Sequence, residues 1–116
     1  MLFRSGEAFS IFPYRVIFQY SATQANPSIT KIGFSVPSKR FKRAADRNRI
    51  KRQMREAYRL QKQQLSELAQ EQHLEVNIFL IYTGKKLPEY SFLHKRTGIA
   101  LNKLKKVLLN EQLPSK

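Results

Sequence analysis

The pattern of hydrophobic and polar positions predicts three strands in this chain. In residues 14–20, Val16, Phe18 and Tyr20 alternate with Arg15, Ile17 and Gln19, which approximates the period of two expected of a strand with one buried face. A second strand is predicted over Thr30–Val36, with Gly33 marking a bulge or a close approach. Because only a short polar segment separates these two strands, we expect them to form an antiparallel pair. Glu75–Tyr82 is a nearly continuous apolar run, which predicts a strand buried on both faces.

Two longer segments have the period of an α-helix. The first runs from Ala44 or Asp46 to Gln70, with Asp46 as a candidate N-cap. Its apolar stripe contains Ile50, Met54, Ala57, Leu65 and Leu68. A second helix is predicted over Ser91–Asn110, and its stripe contains Leu93, Thr97, Ala100, Leu101, Leu104, Val107 and Leu108. This order of elements predicts an α+β fold, an α/β sandwich in which helices pack on a small, mostly antiparallel sheet.

Length and composition narrow the class of protein further. The 116 residues fit one domain, residues 1–116, and 41% hydrophobic residues suffice for one core. With no cysteine, the chain is neither a disulfide scaffold nor a thiol enzyme nor a Cys-ligated zinc module. Its longest apolar run is far below the roughly 20 residues that cross a bilayer, and no signal-peptide pattern is present, so we expect no membrane and a cytoplasmic location.

Positive charge is concentrated in one part of the chain. The net charge is +14, from 22 Lys and Arg against 8 Asp and Glu, and residues 39–62 hold eleven of the bases and two of the acids. On a helix these bases fall opposite the apolar stripe, and like charges lie at i, i+4 at Lys51, Arg55 and Arg59. A solvated surface helix normally mixes signs, and a membrane-surface helix carries more large aromatics. We therefore interpret this face as a binding surface for phosphates.

The residue types on that face favour structured RNA. Arginine predominates, and its guanidinium binds phosphate with two parallel hydrogen bonds and stacks on bases. Asn48 lies between Arg47 and Arg49 and either contacts RNA or caps the first turn of the helix. Val16, Phe18 and Tyr20 share one strand face, which is either core or a platform that stacks unpaired bases.

Residues for covalent chemistry are scarce. There are eight acids and two histidines, His73 and His94, with no metal-ligand spacing around them, and no glycine-rich phosphate loop. Each histidine is best explained as a surface residue. The sequence thus predicts an RNA-binding protein that performs no covalent chemistry itself.

The segment Lys31–Leu60 resembles the bacterial ribonuclease P protein component. The resemblance rests on a glycine-containing strand, a basic Ser-Lys connection, and Arg-Asn-Arg-Ile-Lys-Arg followed by Arg-Glu on one helix, here at residues 47–52 and 55–56. It extends more loosely to Phe3-Arg4-Ser5-Gly6 and to the last strand and helix. Members of that family usually carry a further basic stretch and most of a helix before the Phe-x-x-Gly segment, whereas here Met1 stands two residues before Phe3.

The resemblance implies a subunit of the ribonucleoprotein endonuclease that removes the 5′ leader of precursor tRNA. The implied partners are ribonuclease P RNA, which would hold the catalytic Mg²⁺, and precursor tRNA; no protein partner is predicted. RNA contacts are implied for Lys39, Arg40, Arg47, Asn48, Arg49, Lys51, Arg52, Arg55 and Arg59. Phe3 and Phe18 match the aromatic positions of the family's leader-binding cleft, between sheet and helix. The family fold also implies a left-handed βαβ crossover, whereas such crossovers are almost always right-handed.

Two other functions fit the composition. One is a non-catalytic ribosomal or general RNA-binding structural protein, which would share the charge and the fold without a leader groove. The other is a DNA-binding helix, since asparagine among arginines also suits the major groove. The strands and the early aromatics argue against DNA binding.

Overall fold

The computed structural model describes residues 7–112, with side chains through Leu109. The elements, in chain order, are β1 (Glu7–Ile11), β2 (Tyr14–Ala22), β3 (Thr30–Ser35), α1 (Ala44–Gln61), α2 (Gln63–Glu71), β4 (Leu74–Tyr82) and α3 (Tyr90–Gln112). Four strands form one sheet in the order β1-β2-β4-β3. The β1–β2 and β2–β4 pairs are antiparallel and the β3–β4 pair is parallel. The predicted α+β class and mostly antiparallel sheet are confirmed.

The expected antiparallel pairing of β2 with β3 is wrong. Instead β4 lies between them, and the loop after β2 passes over to the far edge of the sheet. The physical reason is visible in β4 itself, whose alternate side chains are buried in the core while those between are half-buried, as at Asn77 and Ile81, or exposed, as at Phe79. A strand that is apolar on both faces gains most from the central position, with neighbours on each side. The connection from β3 through α1 and α2 to β4 is therefore a βαβ crossover, and its left-handedness stays a prediction.

The hydrophobic core lies between one face of the sheet and the three helices. Tyr14, Val16, Phe18 and Tyr20 of β2 all point into it and are at most 2% exposed. Every residue of the two predicted helical stripes is buried there except Val107, which is partly buried. The Tyr14 hydroxyl is hydrogen-bonded to the Thr97 hydroxyl at 2.8 Å, which ties β2 to α3 inside the core.

The first predicted helix is divided in two at Lys62. α1 and α2 meet at this residue, and the Gln61 side-chain amide at the junction donates to the His94 carbonyl of α3 at 2.8 Å. This contact holds the end of α1 against α3, and α2 then turns Leu65 and Leu68 toward the core. The helix also begins before Asp46, with Arg43 as N-cap, so Asp46 lies in the first turn instead.

Within residues 7–112 no helix covers the opposite face of the sheet, so the prediction that β4 is buried on both faces is wrong for this face. Arg15, Gln19 and Lys31 are exposed on it, and the Phe79 ring, 56% exposed, lies across Gly33. A Cβ at Gly33 would come within 2.6 Å of that ring, so the expected close approach at this glycine is confirmed.

Candidate RNA interface

The exposed side of α1 carries the basic residues of the sequence motif. Ile50, Met54 and Ala57 are completely buried against the sheet and α3. Because helix side chains are about 100° apart around the axis, burial of these three directs the intervening residues to solvent. Exposed on this side are Asn48, Arg49, Arg52, Arg55 and Arg59, with Arg47 and Lys51 half-buried at its margins. Lys39 and Arg40 are exposed in the turn that leads to the helix.

Five of these bases have no partner for their charge. The side chains of Lys39, Arg40, Arg49, Lys51 and Arg52, which we call the unpaired cations, make no hydrogen bond or ion pair with any residue in the described range 7–112. Three of them lie within one turn of α1, so their positive charges reinforce one another. Such a surface is poised to bind an anion with closely spaced charges, such as an RNA backbone.

Arg47 differs because its guanidinium is used within the fold. Its Nη1 donates to the Phe41 carbonyl at 2.7 Å and to the Lys42 carbonyl at 2.9 Å. Phe41 is buried, and its ring lies 5.9 Å from that of Tyr82. Arg47 therefore fixes the basic turn onto the start of α1.

Arg55 and Arg59 also have partners. The Arg55 guanidinium lies 5.6 Å from the centre of the Phe34 ring, a cation–π contact that leaves its charge available. Arg59 binds both carboxylate oxygens of Glu56, at 3.0 and 2.7 Å. The hydrogen bonds from Arg59 hold the pKa of Glu56 below its ordinary value, so the carboxylate stays ionised and offsets the charge of Arg59.

Asn48 is free to contact a ligand. The two explanations left open by the sequence were RNA contact and capping of the first turn. The N-cap position is occupied by Arg43 and no side chain caps it, so Asn48 is not a cap. Its amide is exposed between Arg47 and Arg49.

The two aromatic residues expected in a leader cleft do not form one accessible surface. Phe3 lies outside the described residues. Phe18 does lie on the sheet face that the helices cover, but it is 2% exposed and packs between Phe9 and Tyr20. A base cannot stack on Phe18 in this conformation, so its assignment as a stacking residue is corrected to a core residue. The alternation pattern alone could not decide this, because a core face and a stacking face have the same period.

An accessible groove lies between β1 and α3, next to the Phe9 ring that packs on Phe18. Ile11, Ile99 and Val107 are among the residues that line it, together with the bases Lys103 and Lys106. The Phe9 ring lies beside it, half-buried, with the Lys103 ammonium 5.2 Å from its centre. Sequence reasoning missed these residues because β1 was not predicted. The sequence did contain one signal for a second basic surface. Lys103 and Lys106 lie three residues apart on a predicted helix and off its apolar stripe.

Residues 7–112 contain neither a candidate metal-binding cluster nor a candidate membrane-spanning helix. No group of three His, Asp or Glu side chains there is arranged to hold a metal ion. No helix in the same range is long and apolar enough to span a membrane.

Comparison with known proteins agrees with the motif on α1. The Ribonuclease P family model matches residues 1–105. The ribonuclease P protein component of Porphyromonas gingivalis is 36% identical over 89 residues, which is 77% of this chain and 64% of that protein. The chain thus spans under two thirds of that relative's length. The fold is similar to two solved structures, the RNase P proteins of Thermotoga maritima (TM-score 0.60, 22% identity, 88% of this chain and 84% of that chain) and Staphylococcus aureus (0.50, 20%, 89% and 81%). The chain belongs to the ribonuclease P protein family.

Proposed function

We propose that this chain is the protein subunit of ribonuclease P, which binds the catalytic RNA and promotes removal of the 5′ leader from precursor tRNA. The observation that carries this proposal is the basic surface formed by the exposed side of α1 and the turn before it, where the unpaired cations and Asn48 occur within the family's motif. A general RNA-binding protein would need the charge but not this arrangement. The protein would act in the cytoplasm as an accessory subunit, without a catalytic residue of its own.

The unpaired cations would act by neutralising phosphates that crowd together in the folded RNA. Each base that replaces a bound counterion releases that counterion to solvent, which favours binding at low and moderate salt. The backbone that carries the guanidiniums needs no further ordering when RNA binds, since α1 is held by the buried Ile50 and Met54 and its first turn by Arg47. Repulsion between strands of the RNA would then fall, and fewer free magnesium ions would be needed to fold it.

We assign the catalytic Mg²⁺ ions to the partner RNA, as the family resemblance implies. The described residues offer no cluster of acids or histidines suited to a metal ion. In this proposal the chain contributes binding and charge neutralisation.

The leader of precursor tRNA is assigned to the groove between β1 and α3. Its lining combines the apolar Ile11, Ile99 and Val107 with the positively charged Lys103 and Lys106. The half-buried Phe9 ring, rather than Phe18, offers the aromatic surface for a base. Single-stranded nucleic acid is typically bound by such a combination of cations and aromatic rings.

Reconstitution tests the proposal. The protein is added to ribonuclease P RNA at a magnesium concentration too low for the RNA to work alone, and cleavage of precursor tRNA is followed. We expect cleavage at the mature 5′ end to be stimulated. A basic protein with no relation to this family serves as the control for charge alone; equal stimulation by that control, or none by this chain, would contradict the proposal.

The groove is tested by Phe9→Ala together with Lys103→Ala. These changes are expected to weaken binding of precursor tRNA to the reconstituted enzyme while leaving mature tRNA binding unchanged. Equal weakening for both RNAs would indicate that the groove does not hold the leader.

A further inference from the structure

A second accessible site lies at the end of the sheet beyond the groove. It is a cavity of about 360 Å³ between the β1–β2 turn, the loop after β4 and the start of α3. Its lining includes Phe12, Tyr82, Leu87 and Phe92, and most of the lined surface is apolar. This volume lies within the range of sites that hold small organic groups, about 300–1,000 Å³.

The apolar side chains at its mouth are unusually exposed. In the part of the chain with described side chains, seven large apolar residues are exposed, and three of them, Phe12, Leu87 and Phe92, surround this one cavity. Phe12 is 60% exposed and Phe92 41%, and their ring centres are 6.3 Å apart. A concentration of exposed aromatic surface in a cavity indicates a binding site, since single exposed apolar residues are common but clusters are not.

Three hydrogen bonds hold the walls of the cavity in place. The Thr83 amide donates to the Pro13 carbonyl at 2.7 Å, and Arg96 Nε donates to the Phe12 carbonyl at 2.6 Å. The Tyr82 hydroxyl donates to the Lys86 carbonyl at 2.8 Å, which folds the loop over the Tyr82 ring. The cavity is thus formed before any ligand arrives, which lowers the entropic cost of binding.

Charge at the cavity favours an anion. The ammonium groups of Lys85 and Lys86 are exposed at its edge, and no acidic side chain in the described residues lines it. The acid nearest along the chain, Glu89, follows Pro88 and lies outside the lining. Tyr82 also contacts Phe41, which directly follows Lys39 and Arg40 in the basic turn before α1.

We propose that this cavity binds an unpaired nucleotide of single-stranded RNA, with its base stacked on Phe12 and beside Phe92 and its phosphate bound by Lys85 and Lys86. An aromatic surface joined to cations is the combination that binds unpaired nucleotides regardless of base identity. Phe12 directly follows Ile11, which lines the groove between β1 and α3, so one RNA strand can pass from the groove into the cavity. The inference rests on the proposed function only in taking RNA as the partner.

A tryptophan reporter tests this assignment directly, because the chain contains no tryptophan. Phe12→Trp places a single indole at the cavity, and Phe79→Trp places one at a matched exposure, 56% against 60%, on the uncovered face of the sheet. The probes are heptauridylate and an abasic heptamer with the same phosphates. We expect heptauridylate to quench Phe12→Trp fluorescence, the abasic heptamer to quench it little, and Phe79→Trp to be unaffected. Absence of quenching at Phe12→Trp, or equal quenching at both positions, would overturn the proposal.

Affinity measurements give a second readout that needs no reporter. Phe12→Ala and Phe92→Ala are each expected to weaken heptauridylate binding, measured by fluorescence anisotropy, by at least about fivefold, the lower end of base stacking on an aromatic side chain. Phe12→Tyr keeps the ring and should bind like the wild type. Unchanged affinity in both alanine variants, with circular dichroism showing a folded protein, would refute the role of the cavity.

The source of the nucleotide is identified by comparing three RNAs. A loss confined to precursor tRNA on Phe12→Ala assigns the cavity to the leader, and a loss with ribonuclease P RNA alone assigns it to that RNA. No loss with precursor tRNA, mature tRNA or ribonuclease P RNA would contradict the proposal. Failure of the cavity is distinguishable from failure of the proposed function, because stimulation of cleavage by the wild-type protein does not depend on the Phe12 variants.

Discussion

Two substitutions on α1, Arg52→Ala and Glu56→Gln, should change RNA binding in opposite directions. Arg52 is exposed and has no partner in residues 7–112, so its removal takes away one available cation. Glu56 binds Arg59 through both carboxylate oxygens, and its negative charge weakens the attraction of that cation for phosphate. Glutamine keeps the shape of Glu56 and removes its charge, which makes Arg59 available to phosphate.

The size of each effect follows from counterion release. One phosphate contact contributes about 0.7 to 0.9 to the slope of log K against log salt concentration. Between 50 and 200 mM salt, one contact therefore accounts for about a threefold change in affinity. Arg52→Ala should make the slope shallower by nearly one unit, and Glu56→Gln should make it steeper by up to the same amount.

The assay is binding of fluorescently labelled ribonuclease P RNA measured by anisotropy at several salt concentrations. Arg15→Ala is the matched control, since Arg15 is an exposed arginine on the uncovered face of the sheet. It should leave the slope unchanged. An unchanged slope for Arg52→Ala, or a loss for Arg15→Ala as large as that for Arg52→Ala, would refute the assignment of the α1 face to RNA.

The remaining predictions concern stability, measured as the free energy of unfolding in urea. Thr97→Val leaves the buried Tyr14 hydroxyl without its partner and should cost about 1–3 kcal/mol; Tyr14→Phe in the same background should restore part of the loss, and no loss on Thr97→Val would contradict the argument. Burial raises the pKa of Tyr14 to about 12 from 10.0. Between pH 10 and 12 the unfolded chain loses this proton while the folded protein keeps it, so the free energy of unfolding does not depend on Tyr14 below pH 10 and falls by a few kcal/mol as the pH rises toward 12. Because burial also raises the pKa of Tyr58 and Tyr82, Tyr14→Phe should reduce that decline without abolishing it, and an identical decline in the variant would contradict the argument. His73 adopts a φ of 55° just after α2, and His73→Gly should stabilise the protein by about 0.5–1 kcal/mol while His73→Ala should not; equal effects of the two would show that the backbone is unstrained.

The sequence predicted the elements whose periodicity is strong and failed where the information is not local. Both apolar helix stripes and the position of the buried strand β4 were correct, because each is determined by side chains close together in the chain. The partner of β3 was wrong, since strand order depends on which strand gains most from the central position. β1 was missed because five residues at a sheet edge, alternating between half-buried and exposed, carry little signal.

The sequence predicted where the candidate site lies, but not what each of its side chains does there. Charge counting identified the basic segment, yet it could not separate the unpaired Arg52 from Arg59, which is paired with Glu56, or from Arg47, whose guanidinium binds two backbone carbonyls. These differences depend on rotamers and backbone geometry. Phe18 shows the same limit, since only packing against Phe9 and Tyr20 decides that it is core.

The most direct test of the central claim is the rate of precursor tRNA cleavage by ribonuclease P RNA at low magnesium, measured against protein concentration. Three proteins are compared: the wild type, Arg49→Ala with Arg52→Ala, and Arg15→Ala with Lys31→Ala, which removes the same charge from the uncovered face of the sheet. We predict that the wild type and the Arg15 and Lys31 variant stimulate cleavage at similar concentrations, whereas the Arg49 and Arg52 variant needs several times more protein, because it has lost two phosphate contacts. Equal stimulation by all three proteins, or an equal loss in both variants, would contradict the claim that the exposed face of α1 binds the RNA.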